Sequence, residues 1–157
     1  MGHAVGMRIM TQSTFGGPEV LELGEAPVPT PLPTEVLVRV RAAGVNPVDW
    51  KTRAGKGMAG VLGDPPFTLG WDVAGVVEEV GLGVTTLAPG DPVFGMPWFP
   101  RAAGAYAEYV TAPSRQFARK PADLTFEEAG GLPLAGLTAW QILVDTANVQ
   151  PGQRVLI

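Results

Sequence analysis

The chain has 157 residues, a formal net charge of −4, one histidine (His3) and no cysteine. Without cysteine there is no disulfide, no thiolate nucleophile and no four-cysteine zinc knot, and a single histidine cannot supply a three-imidazole metal site. The acidic balance without a basic cluster argues against nucleic-acid binding, and no apolar run approaches the ~18 residues of a membrane span. The first residues lack the features of a signal peptide, so we expect a globular protein located in the cytoplasm.

Short strands joined by tight turns are the pattern of the first 124 residues, where glycine and proline are frequent. Residues 36–42 alternate between apolar and other side chains, and residues 73–80 form a second, mostly apolar run, so both predict strands. Four prolines on alternate positions from Pro27 to Pro33 cannot donate to a β-ladder and indicate an extended edge or linker. Further strands are predicted over 92–94 and 106–111, with a type II turn at Pro89-Gly90. We expect an antiparallel β-barrel or sandwich through about residue 124.

A helical pattern begins after residue 124. Thr125 and Glu128 have the spacing of a capping box, and Pro133 suits the first position of a second helix running to about Ala147. Residues 155–157 are a continuous apolar run, typical of the first strand of a parallel α/β sheet. Such a strand needs a neighbour, so we expect the chain to be a fragment of a longer protein. Residues 1–6 are predicted to be an N-terminal extension or a remnant of expression.

The segment Gly44-Val45-Asn46-Pro47-Val48-Asp49-Trp50-Lys51 carries an amide, a carboxylate and a cation within six residues. Its position after a strand and its Gly and Pro content predict a loop, and functional side chains are often presented on loops. The alternative is a structural turn in which Asn46 or Asp49 caps its own backbone.

Two further candidates are individually weak. Asp72 opens a predicted buried strand, where a carboxylate needs a partner, so a structural role bonded to loop amides is favoured, with Trp71 as a wall of core or pocket. Thr138 lies on the predicted second helix, where a threonine usually bonds to a carbonyl one turn earlier.

Six motifs in order are more specific than any one of them. The chain resembles the medium-chain dehydrogenase/reductase superfamily over about residues 8–157, and within it the zinc-independent quinone oxidoreductase (zeta-crystallin-like) branch. The resemblance implies a mainly β fold: a GroES-like β-barrel over residues 7–124, followed over 125–157 by the first helix and strand of a truncated Rossmann α/β domain. The motifs are Gly-Val-Asn-Pro-Val-Asp, Leu-Gly-Trp-Asp-Val-Ala-Gly-Val-Val-Glu-Glu-Val-Gly, Pro-Gly-Asp-Pro-Val-Phe-Gly, Gly-Ala-Tyr-Ala-Glu-Tyr-Val, Leu-Thr-Ala-Trp and Pro-Gly-Gln-Arg-Val-Leu-Ile.

The catalytic zinc of other superfamily members has no ligands here. By resemblance, its three ligand positions are occupied by Asn46, Trp71 and Leu134, none of which offers a thiolate or an imidazole. The stretch 92–105, where a structural zinc lobe would lie, is short and has no cysteine. We therefore expect no metal.

The resemblance implies hydride transfer from NADPH to a quinone or an α,β-unsaturated carbonyl, with the protein aligning the reactants. Preference for NADPH over NADH is a family expectation. Lys51 stands where many relatives carry tyrosine, and donates to an enolate or hydroquinone oxygen or contacts cofactor phosphate. The implied catalytic residues are Asn46 and Lys51, the cofactor contacts are Asn46, Pro47, Lys51 and Thr138, and the pocket residues are Trp50, Trp71, Trp98 and Phe99, for which ordinary core packing is the competing interpretation.

The phosphate-binding glycine-rich loop would follow Ile157 directly. We therefore expect these 157 residues alone neither to bind NADPH tightly nor to turn over. Two other hypotheses stay open: a non-catalytic GroES-like binding or scaffold module, and an enoyl-reductase domain of a larger synthase. The expected partner is a small-molecule quinone or enone, with a homodimer for the full-length protein.

Overall fold

Two antiparallel sheets make up most of the fold in the computed structural model, which describes residues 6–156. One sheet has the order β2-β1-β4, and the other has the order β7-β3-β5-β6-β8. The strands are β1 Gly6–Gln12, β2 Leu21–Pro27, β3 Glu35–Ala43, β4 Phe67–Thr68, β5 Val73–Val80, β6 Pro92–Gly95, β7 Tyr109–Pro113 and β8 Phe117–Arg119. The predicted mainly β, antiparallel fold is confirmed.

The hydrophobic core is built around the central pair of strands, β3 and β5. Val38 pairs with Val77 across this ladder, and both side chains are almost fully buried. The predicted alternation holds at the exposed Arg41, whereas Leu37 is buried as well. The register of β3 and β5 shifts at two irregularities, and the pairing reaches Ala43 and Val73, beside the site described below. Val36, Val73, Val93, Val110, Ala112 and Phe117 complete the centre of this cluster.

Four short helices lie among and after the strands. The predicted capping box is present: Thr125 Oγ1 accepts from Glu128 N at 3.1 Å, and Glu128 Oε2 accepts from Thr125 N at 2.8 Å. Pro133 is the first residue of its helix, as predicted, and the helical winding continues over Gln141–Thr146 with π geometry. The helices are α1 Pro47–Arg53, α2 Ala59–Leu62, α3 Phe126–Gly130 and α4 Pro133–Trp140, and single 3-10 turns cover Pro18–Val20 and Ser114–Gln116.

The turns between the strands follow the sequence closely. Pro89 and Gly90 form the predicted type II turn: Gly90 has φ +94°, and Asp91 N donates to Ala88 O at 3.1 Å. Past β2, which ends at Pro27, the rest of the proline-rich stretch forms no strand, and a turn at Pro33 and Thr34 leads into β3. Both predictions rested on backbone restrictions that proline and glycine impose locally.

Three predicted segments differ from the structure. The predicted loop after Gly44 is helical from Pro47, because the chain there carries an N-cap, a proline at the first position and an acid at the third. The strand predicted over 155–157 is not formed at residues 155 and 156, which have no pairing partner among the described residues, and Ile157 lies outside them. The strand predicted from residue 106 begins at Tyr109, after one bridge between Ile9 and Ala107.

The structure describes only part of the two chain ends for which the sequence makes predictions. Gly6, predicted to belong to an extension, is the first residue of β1, and residues 1–5 lie outside the described range. The predicted boundary at residue 124 stays a prediction; it falls between β8 and α3. Among residues 6–156, none of the helices is long and apolar enough to cross a bilayer.

Candidate active site at the junction of barrel and helices

The first turn of α1 begins with Asn46, whose side chain is 8% exposed. Asp49 Oδ2 accepts from Asn46 N at 2.7 Å, and Asp49 N donates back to Asn46 O at 2.9 Å. These bonds satisfy backbone groups that a helix start leaves without partners. The structural alternative for this segment is therefore present, and it holds Asn46 in place at the start of the helix.

Pro47, Trp50 and Lys51 form an exposed group on α1. Residues three and four positions apart lie on one helix face, which brings Pro47 next to the other two side chains. The Lys51 Nζ atom lies 5.4 Å from the centroid of the Trp50 ring, within the range of a cation–π contact. Three of the predicted site residues are thus neighbours, and the Lys51 ammonium is open to a ligand.

Asp72 links α1 to α4. Its Oδ2 atom accepts from Asn46 Nδ2 at 2.9 Å, and Leu134 N donates to Oδ1 at 3.0 Å and to Oδ2 at 3.2 Å. The side chain is fully buried. One carboxylate therefore joins a side-chain amide of the barrel to the first turn of the helix that follows the barrel. Sequence analysis anticipated a bonded, structural Asp72 but could not name these partners.

The charges at this junction are stabilised by N–H groups. Burial raises the pKa of Asp72, and the Asn46 and Leu134 donors partly offset that rise. Burial likewise raises the pKa of Asp49, and the hydrogen bond from the Asn46 backbone N–H partly offsets that rise. Burial and the nearby carboxylates of Asp49 and Asp72 raise the pKa of Tyr106 well above its ordinary range. In the described part of the chain no salt bridge reaches either aspartate, so the positive end of α4 serves as the partner of Asp72.

The backbone at Gly44 lies close to Asp72 and to Gly130, and these contacts hold the same junction together. Gly44 N donates to Asp72 O at 3.0 Å. A Cβ atom at Gly44 would lie 2.5 Å from Gly130 O, the last residue of α3, and 2.9 Å from Asp72 Cβ. The absence of a side chain at Gly44 therefore lets α3 pack directly on the end of β3.

Trp71 packs against the loop between β6 and β7. It is 1% exposed, its Nε1 atom donates to Arg101 O at 2.6 Å, and its ring meets Phe99 edge to face at 5.7 Å. Phe99 is 39% exposed. Of these two predicted pocket residues, only Phe99 presents its surface to a ligand in this structure, and Trp71 is buried behind it.

Trp98 anchors the same loop. Its Nε1 atom donates to Thr111 O at 2.7 Å, its backbone N donates to Gln116 Oε1 at 2.9 Å, and the ring packs against the core. Among the aromatic rings of residues 6–156, Trp50 makes no ring contact with Trp71, Trp98 or Phe99. The four predicted pocket residues thus divide into two groups: Trp50 lies on α1, whereas Trp98 and Phe99 lie on the β6–β7 loop and Trp71 packs against that loop.

Thr138 is exposed on α4, one turn after Leu134. Four residues advance an α-helix by about 6 Å, so the bond between Asp72 and Leu134 N also sets the position of Thr138. Beside α4 lies a cavity of about 400 Å³ between the helix and the barrel. The residues of this cavity could not be found from the sequence: Met96 and Arg115 belong to no motif, and Leu137 of the Leu-Thr-Ala-Trp motif is distant from both in the chain.

The three positions that correspond to zinc ligands do not suit a zinc ion. Asn46 donates its amide to Asp72, Trp71 donates its indole N–H to Arg101 O, and Leu134 has an aliphatic side chain. Zinc needs thiolate, imidazole or carboxylate ligands. Within residues 6–156, no group of three or more His, Cys, Asp or Glu side chains is arranged to hold a metal ion.

The curled antiparallel sheets, with a capped helix leading away from the last strand, define a GroES-like β-domain joined to further helical structure. The family described as the alcohol dehydrogenase GroES-like domain matches residues 32–122. The chain belongs to this family, and it is similar to quinone oxidoreductases.

Known relatives match nearly the whole chain. The chain is 38% identical over 152 residues to a quinone oxidoreductase of Homo sapiens. The match covers 96% of this chain and 45% of that protein. The structure of the quinone oxidoreductase from Coxiella burnetii matches with a TM-score of 0.86 at 38% identity, over 94% of this chain and 47% of that one. A mycobacterial protein solved as a complex with NADPH matches with a TM-score of 0.81 at 37% identity, over 93% of this chain and 43% of that one. The chain spans less than half the length of the curated relatives it matches.

Proposed function

We propose that the chain is the substrate-binding half of an oxidoreductase that delivers hydride from NADPH to a quinone or an α,β-unsaturated carbonyl. The observation that carries this proposal is the junction around Asp72, which joins Asn46 to the helix that bears Thr138. The quinone oxidoreductases among its relatives and the NADPH complex of a structural neighbour support the reaction class.

The residues at the junction fit the nicotinamide end of the cofactor. An amide, a hydroxyl and an ammonium group suit ribose hydroxyls, a carboxamide and phosphate oxygens, and Asn46, Thr138 and Lys51 supply one of each. NADPH supplies the hydride when it is bound. The chain's own residues bind and orient it: Asn46 from α1, Thr138 from α4 and Pro47 by contact at the exposed start of α1.

The acceptor is held by the exposed groups around this point. With no thiolate or imidazole at positions 46, 71 and 134, an acceptor oxygen depends on hydrogen-bond donors of the protein. Lys51 is the exposed charged donor on α1, whereas Arg53 donates to Gly16 O. Trp50 and Phe99 present apolar aromatic surface, with Trp71 and Trp98 behind the Phe99 loop. This chemistry suits an acceptor that is already electron-poor, such as a quinone or a conjugated enone.

The test is steady-state reduction of quinones and enones by the protein with the dinucleotide-binding half that its relatives possess. Lys51→Met is expected to lower kcat on the order of 10- to 1000-fold, the range expected when a donor to a developing oxyanion is removed. Lys56→Met is the matched control, because Lys56 is also exposed and lies just after α1. Cofactor binding without reduction of any acceptor would refute the proposal and favour a non-catalytic module.

The same proposal predicts how the 157 residues behave alone. The phosphate-binding loop of a Rossmann domain is the main grip on a dinucleotide, and this chain does not contain it. In a fluorescence titration of the isolated chain we expect no micromolar affinity for NADPH. Micromolar binding would show that the barrel half holds the cofactor by itself.

A further inference from the structure

The Asp72 side chain contacts both elements of the candidate site. Its carboxylate accepts from Asn46 Nδ2 on one side and from Leu134 N on the other, at 2.9 and 3.0 Å. Asn46 lies 26 residues before Asp72 and Leu134 lies 62 residues after it, so neither bond follows from local chain geometry. Both bonds are made by a fully buried group, where water does not compete for them.

The chemistry of the carboxylate determines how the Asn46 amide is turned. An ionised carboxylate has no proton to donate, and the Leu134 N–H already donates to both of its oxygens. The Asn46 amide must therefore direct its NH₂ group toward Asp72. Its carbonyl oxygen, which is an acceptor, then faces away from Asp72.

We propose that Asp72 is a positioning residue of the active site. It fixes the rotation of the Asn46 amide and holds the first turn of α4 against the barrel, so that Asn46 and Thr138 keep a set spacing at the cofactor. The functional part of this proposal rests on the proposed function, whereas the two hydrogen bonds are testable in the chain itself.

The first measurement concerns the link to α4 and uses this chain. Asp72→Ala removes the acceptor of the Leu134 N–H, so we expect amide exchange at Leu134 to become at least about 10-fold faster, as for a lost hydrogen bond to a charged group. Asp91→Asn is the matched control: Asp91 also accepts from a backbone N–H, that of Ala88, but lies beside Val77 in the middle of β5, away from the junction. Unchanged Leu134 exchange in a folded Asp72→Ala chain would overturn the link.

The second measurement concerns the orientation of the Asn46 amide. Asp72→Asn can still accept from Leu134 N, but its own NH₂ group then faces the NH₂ group of Asn46, and one amide must turn. In the protein with its dinucleotide-binding half, we expect the KM for NADPH to rise on the order of 10-fold, with a smaller fall in kcat. A purely structural role would lower stability without this split.

The exchanged pair Asn46→Asp with Asp72→Asn gives the sharpest outcome. The new amide at position 72 donates to the new carboxylate at position 46 and accepts from Leu134 N, so both bonds return and an acceptor still faces away from position 72. We expect the pair to recover most of the NADPH affinity lost in Asp72→Asn alone. No recovery in a folded pair would overturn the proposal.

Two further results separate the possible failures. If the alanine variant does not fold, the exchanged pair carries the structural test, because it must melt at a higher temperature than Asp72→Asn alone. If the unmodified protein binds no nicotinamide cofactor, the proposed function is refuted. In that case, the rate of amide exchange at Leu134 and the melting temperatures of the variants still show whether Asp72 joins the two elements.

Discussion

Gly44→Ala tests how closely the barrel and the helices pack at the candidate site. The added Cβ would lie 2.5 Å from Gly130 O and 2.9 Å from Asp72 Cβ. Carbon atoms in good contact are separated by about 3.5 Å or more, so α3 or β5 must move by roughly 1 Å. Gly130 O is a backbone atom, and Asp72 Cβ is attached directly to the Asp72 backbone. Neither atom is the end of a flexible side chain that could move aside.

Overpacking of this kind destabilises a protein by about 1–3 kcal/mol. At about 2–4 °C per kcal/mol for a chain of this length, we expect a melting temperature about 2–12 °C lower in a thermal scan. Amide exchange at Leu134 should also become faster, because the shift acts on the backbone that carries Asp72.

The matched control for Gly44→Ala is Gly60→Ala, since a Cβ at Gly60 would have no atom within 4 Å and the residue lies in α2. Alanine is favoured over glycine in a helix by about 1 kcal/mol, so this variant should be at least as stable as the parent. If both variants melt at or above the parent temperature, the close approach of α3 to Gly44 is refuted.

Four other substitutions, the last two used as a pair, probe separate parts of the fold. Trp71→Phe keeps the buried ring but leaves Arg101 O without its donor, so urea unfolding should show a loss of about 1–3 kcal/mol; an unchanged midpoint would mean that this bond contributes nothing. Thr125→Ala removes the N-cap of α3 and should lower the free energy of unfolding by about 1 kcal/mol, measured the same way, and a neutral result would contradict the capping box. Asp49→Asn and Asp91→Asn should show opposite pH dependence in urea unfolding between about pH 2 and 7. Burial raises the pKa of Asp49, so its protonated form favours folding and that contribution is lost as pH rises through the folded-state pKa; the asparagine variant therefore gains on the parent as pH rises. The N–H of Ala88 and then the Arg119 guanidinium lower the pKa of Asp91, so its contribution is lost as pH falls through the folded-state pKa and its asparagine variant loses ground as pH rises; slopes of one sign would refute this assignment.

Local patterns account for the parts of the fold that the sequence predicts well. Alternation over 36–42, the Pro89-Gly90 turn and the Thr125 capping box each involve residues within a few positions of one another. The start of α1 was equally visible, because an asparagine N-cap, a proline next and an acid at the third position are a helix-start pattern. Treating this segment as a loop gave too much weight to its glycine and proline content.

Long-range contacts account for what could not be predicted. Residues 155 and 156 can form a strand only beside a neighbouring strand, and their own apolar sequence does not supply that neighbour. The cavity beside α4 collects Met96, Arg115 and Leu137 from three separate segments. The partners of Asp72 are 26 and 62 residues away, so a sequence can suggest that this carboxylate is bonded but not which groups it joins.

Positions 46, 71 and 134, which correspond by resemblance to zinc ligands, lie at or beside the Asp72 junction, and their residues serve it in different ways. Trp71 and Asp72 are neighbours just before β5, and their side chains bond to different groups: Trp71 Nε1 donates to Arg101 O, whereas Asp72 accepts from Asn46 Nδ2 and Leu134 N. Position 134 contributes its backbone N–H, which does not depend on its side chain, and position 46 contributes an amide. A carboxylate thus holds together two elements that a metal ion would otherwise connect through its ligands. Unlike a metal ion, a carboxylate cannot withdraw electrons from a bound carbonyl. If the proposed function is correct, the junction sets geometry only, and the reactivity must come from the hydride donor and from an acceptor that needs little activation.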